Sequence, residues 1–126
     1  MMDPMRVLAA GEAATGFALT LLPRLVVQPL FGADATGAGL AMSRICGMAL
    51  MGLGIACWPV AGSSGGAGRR ARTAMLVYSA LATIYLAALA VDGELRGAML
   101  WPAVVVHLVV TVLLVMALAT RARVAP

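Results

Sequence analysis

Charge is scarce in this chain of 126 residues: only 11% of positions are Asp, Glu, Lys or Arg, while 63% are hydrophobic and the mean hydropathy is +1.00. A water-soluble domain of this size needs far more polar residues to cover its surface. Lysine is missing altogether; all nine basic residues are arginine. Cysteine occurs only at Cys46 and Cys57, within one expected helix, where eleven positions at ~1.5 Å each place them ~16 Å apart. That separation excludes a disulfide between them. No CxxC or Cys/His cluster is spaced for zinc or an iron–sulfur centre, and a single histidine, His107, cannot supply a bis-histidine haem site. Aromatic residues make up 5% of the chain and do not interleave with basic ones. The net charge of +4 therefore does not describe a nucleic-acid surface. Neither a metal nor a cofactor is expected.

What the chain has in quantity is long apolar runs, the pattern of membrane-spanning helices. Four are read: about 5–22, 38–58, 73–91 and 101–120. Pro23 and Pro59 close the first two, and Pro102 suits the first turn of the fourth. Glu12 interrupts the first run, and no small-x-small site follows it, so it is read as a span and not a signal peptide. The expectation is an all-α protein: a single transmembrane four-helix bundle over residues 1–126.

The connections differ. The segment 23–39 starts apolar and ends rich in glycine; with Arg24 and Gln28 four apart, it reads either as a short interfacial helix or as a continuation of helix 1 past a kink. AGSSGGAGRRAR (61–72) reads as a flexible basic loop, and DGELRG (92–97) as a short turn. With four spans, the N-terminus, the 61–72 loop and the C-terminus share one side, which carries Arg6, Arg69, Arg70, Arg72, Arg121 and Arg123. Positive residues mark the cytoplasm, so both termini are expected there.

Three ionisable residues fall inside the expected spans: Glu12, Arg44 and His107. Each charge at a helix centre costs about 2.5–3.5 kcal/mol in lipid, which argues for pairing. Counted from the outer helix ends, Glu12 is ~15 Å deep and Arg44 ~9 Å deep, an offset a long arginine side chain can span. A buried Glu12–Arg44 ion pair is therefore expected, as a structural clasp or as a working site, with His107 near it. Thr15 and Gly16 after Glu12, Thr111 after His107, and Ser79 and Thr83 on helix 3 extend a polar seam. Tyr78 and Tyr85 lie on one side of helix 3 as further candidates, most simply as packing residues. Gly39, Ser43 and Gly47 form a small-residue stripe suited to close helix contact. Trp58 and Trp101 at span ends read as interfacial anchors.

The layout of these short motifs, E12xxxG16, P23, LFG (30–32), R44xxG47, CWP (57–59) and WPxxxxH (101–107), resembles the DoxX-like families of small bacterial four-span membrane proteins. That resemblance implies a multi-pass protein of the bacterial inner membrane, and some such proteins work with quinone-linked sulfur oxidation. A single membrane carboxylate in helix 1 is also similar to the small multidrug resistance transporters, in which it exchanges protons for cationic drugs within a dimer. Arg44 departs from that scheme, because an arginine beside Glu12 would hold it ionised and repel a cation.

The first expectation is thus a non-catalytic membrane subunit or binding module with a Glu–Arg pair. Its partners would be membrane lipid, a second copy of the chain, or another membrane protein. The alternative is a proton-coupled small-molecule transporter working through Glu12. An enzyme stands third, since no nucleophile–base pair or metal set assembles from these positions.

Overall fold

The computed structural model describes residues 4–58 and 65–124. The described residues are helical apart from short connections, in five elements: α1 (Pro4–Leu21), α2 (Pro23–Phe31), α3 (Ala38–Ala56), α4 (Gly66–Asp92) and α5 (Leu100–Val124). Three of them, α3, α4 and α5, are long and apolar enough to cross a membrane, and α1 with α2 makes a fourth if that bent pair counts as one span. Large apolar side chains stay exposed around the helices, among them Phe17, Ile55, Ile84, Val105 and Met116. Such a surface has no place in water. This is a multi-pass membrane protein.

The helices associate as two antiparallel pairs, α1 with α3 and α4 with α5, with sparse contact between the pairs. Glycine makes the first pair. A Cβ on Gly16 would lie 2.5 Å from the carbonyl oxygen of Gly47 and the amide of Met51, and one on Gly54 would lie 2.6 Å from the carbonyl oxygen of Ala9. Hydrogen at these Cα positions lets the two backbones touch. The tight stripe is therefore Gly47 and Gly54, not the expected run from Gly39. Gly39 faces open space, and Ser43 turns its hydroxyl back to the Gly39 carbonyl.

The second pair is held by side-chain volume. Two apolar clusters join it to the rest of the molecule. At one end Met5, Cys57, Met75, Val110 and Leu114 meet, and the Cys57 thiol reaches the carbonyl of Ala71. At the other end Leu86, Leu100 and Val104 pack against Leu30 and Phe31 of α2.

α2 turns 107° from α1 across Leu22, so 23–31 forms a separate short helix bent sharply from the first. Leu22 interrupts the helix, and Pro23 opens α2 at its first position. Left-handed Gly32 closes α2. The chain then reaches the α4–α5 turn: Arg96 N–H donates to the Phe31 carbonyl (3.0 Å) and Met99 N–H to the Pro29 carbonyl (2.8 Å). Gly97 packs directly on the Leu30 backbone, where a side chain has no room. α2 thereby ties the two pairs together at this end.

One expected loop is partly helix. α4 begins at Gly66, so Arg69, Arg70 and Arg72 lie on its first two turns. The earlier part of that segment, and Pro59, fall outside the described residues.

Candidate functional site

Between the two apolar clusters, where the pairs face each other, lie Glu12 of α1, Tyr78 of α4 and His107 of α5. Each is half-buried. The antiparallel register of α4 and α5 sets Tyr78 beside His107, with ring centroids 5.9 Å apart and an edge-on angle of 66°. Tyr78 and His107 both lie close enough to the Glu12 carboxyl to act on it. His107 Nδ1 donates to the Ala103 carbonyl one turn back (2.8 Å). That bond fixes the tautomer, so the neutral ring offers Nε2 as an acceptor. Thr111 is half-buried one turn further on, with its hydroxyl on the His107 carbonyl (2.8 Å). On α4 the Ser79 hydroxyl is 1% exposed and meets no protein partner among the described residues.

Arg44 is not in this cluster. The close approaches of Gly16 to Gly47 and Met51, and of Gly54 to Ala9 and Ala13, set the register of α1 on α3. In that register Glu12 is level with the residues around Leu53, and Arg44 is level with those around Leu21. Nine residues of helix, ~14 Å, separate the two charges along the axis. No ion pair joins them, and the groups that act on Glu12 are His107 and Tyr78. The expected clasp is therefore corrected. Aligning helix ends misplaced it, because α3 overhangs α1 by its first six residues.

The register also redraws the arginines as two layers. Arg6, Arg69 and Arg70 flank the cluster around Met75. Arg24 and Arg44 gather where α1 ends, against Leu21, Leu22 and Leu40. Fifteen residues of α1, ~23 Å, separate Arg6 from that second layer, somewhat under the ~30 Å of a bilayer's hydrocarbon core. Arg44 thus lies toward the α2 end of the bundle, and Glu12, Tyr78 and His107 lie between the two arginine layers.

The remaining candidates sit apart. Tyr85, seven residues beyond Tyr78, is 65% exposed and joins no polar group. Thr15 is exposed beside its half-buried neighbour Glu12. Trp58 follows the end of α3, and Trp101 is the second residue of α5; both side chains are about half exposed.

A groove of about 960 Å³ runs along α4 beside Leu53 of α3, from Arg69 and Arg70 past Val77 to Tyr78 and Leu81. Its walls are apolar apart from Arg69, Arg70, Thr73 and Tyr78. Tyr78, a candidate from the sequence, is shared between groove and cluster. No group of His, Cys, Asp or Glu among the described residues is arranged to hold a metal ion. No family model, curated protein or solved structure matches the chain, so the site is interpreted from its own chemistry.

Proposed function

We propose that this protein binds a small cationic amphiphile in the membrane through a carboxyl group, Glu12, that exchanges its proton for the ligand. The observation that carries the reading is the company Glu12 keeps: a tyrosine hydroxyl and an imidazole, with no guanidinium among the described residues acting on its charge. A carboxyl in that setting can trade a proton for another cation, with Tyr78 holding its oxygen in place and His107 Nε2 passing the proton on. The groove beside Tyr78 supplies an apolar berth for the rest of the ligand. Proton-coupled transport, in which the loaded site is emptied on the other side, is the fuller form of this reading. The departure of Arg44 from Glu12 removes one of the two features that set the chain apart from the small multidrug resistance layout; the other, an aromatic content of 5%, stands.

In this reading the protein is a four-span bundle of a bacterial inner membrane, of the DoxX-like layout. α2 lies at the outer surface, and both termini are cytoplasmic, the side richer in arginine. A second copy, or a helix of another membrane protein, would serve to cover the open groove.

Proton release tests the proposal. Full-length protein in weakly buffered detergent is mixed with tetraphenylphosphonium, and the pH change is recorded. Wild type is expected to release protons in proportion to ligand bound, and Glu12→Gln to release none. Absence of release at every pH between about 5 and 9, the span open to perturbed carboxyls, overturns it. Ligand bound equally by wild type and Glu12→Gln would return the protein to a binding module without proton exchange.

A further inference from the structure

Arg44 has lost the partner that its place in an apolar helix seemed to require, and the structure gives it a neighbour of the same sign. Arg24, at the second position of α2, and Arg44, six residues into α3, line one shallow pocket of about 280 Å³ at the α1–α2 corner. Leu21, Leu25 and Leu40 form the rest of its rim. Both arginines are exposed, and no carboxylate pairs with either among the described residues. The uncapped amino end of α2 lies at the same corner, where the carboxyl end of α1 meets it across Leu22 and offsets its dipole. Two like charges lining one pocket have no counter-charge there until an anion joins them.

The surroundings select the anion. The pocket sits at the level where α1 ends, ~23 Å along the helix axis from Arg6, at the end of the bundle where α2 turns away from α1. Its rim is leucine, with Leu25 69% exposed. A free solute anion has no use for such a rim, whereas a lipid lays its acyl chains against it. Arginine pairs bind phosphate through several parallel N–H donors, which lysine cannot reproduce.

We propose that the α1–α2 corner is a binding site for an anionic phospholipid, its phosphodiester held between Arg24 and Arg44 and its acyl chains against Leu21, Leu25 and Leu40. The bound lipid supplies the counter-charge that permits Arg44 within an apolar helix. It also pins α2 at its angle to α1. This site is separate from Glu12, and neither depends on the other.

Full-length protein in detergent is titrated with dioleoylphosphatidylglycerol and read by native mass spectrometry, with gel filtration confirming that each variant stays folded. Wild type is expected to retain one lipid in preference to dioleoylphosphatidylcholine. The double variant Arg24→Gln/Arg44→Gln is expected to lose affinity by about thirty-fold, the effect of two interfacial charges. Arg24→Lys/Arg44→Lys is expected to fall in between. Arg69→Gln/Arg70→Gln, which removes the same charge from the opposite end, is expected to keep this lipid. An equal loss in that control, or no preference over phosphatidylcholine in wild type, overturns the site. Saturation by inorganic phosphate, with no further gain from lipid, overturns the lipid as its occupant.

Discussion

The two helix pairs are built on opposite principles. α1 and α3 meet backbone to backbone, through Gly16, Gly47 and Gly54, with little side-chain volume between them. α4 and α5 meet through bulk: Met75, Leu86, Leu100, Val104, Val110 and Leu114 fill their interface and its two ends. In lipid no hydrophobic force draws helices together, so association depends on the closeness and number of van der Waals contacts. Glycine achieves this by removing distance, large residues by filling space. The functional consequence lies between the pairs. Each is complete in itself, so the seam where they face each other is free to hold polar groups.

The sharpest way to break the contrast is to add volume to the glycine pair. Gly47→Ile should cost about 3 kcal/mol or more and leave little folded protein in detergent, because its Cβ would meet the Thr20 hydroxyl at 2.6 Å and the Gly16 carbonyl oxygen at 2.7 Å. Gly39→Ile, into open space, should leave the melting temperature close to that of wild type. Equal behaviour of the two would show that α1 and α3 are not held by close approach.

Removing volume from the other pair should be the next largest effect. Met75 is fully buried, and Met75→Ala should destabilise by about 2–4 kcal/mol through the cavity left behind. A value under about 1 kcal/mol in a detergent melt would mean that this end of the molecule repacks freely.

The seam gives two smaller and more diagnostic numbers. Glu12→Gln and Arg44→Gln should act additively on stability, to within about 0.5 kcal/mol, because they share no partner and lie ~14 Å apart along the axis. Rescue of one substitution by the other in a double-mutant cycle would restore the clasp and refute the register. Ser79→Ala should be neutral or raise the melting temperature slightly, since it deletes a buried hydroxyl that finds no protein partner. A loss above about 1 kcal/mol would reveal a partner for that hydroxyl.

Much of this was legible in the chain. Long apolar runs place helices wherever they occur, because a backbone in lipid must satisfy its own hydrogen bonds. α1 and α3 accordingly lie close to where those runs predict them. α4 starts seven residues early because small residues and arginines continue a helix as readily as they make a loop. Glu12 and His107 stood out through charge in an apolar setting, and the structure keeps them together. Arg44 stood out for the same reason and was assigned the wrong neighbour.

The sequence by itself determined that this is a helical membrane protein and which of its residues are chemically out of place in lipid, since both follow from composition and run length. Only the tertiary structure decided which of those residues meet. Register along an antiparallel pair is chosen by where glycine lets two backbones touch, and a shift of a few residues moves a side chain by a third of the membrane's thickness. That choice took Arg44 to the surface beside Arg24 and left Glu12 facing Tyr78 and His107.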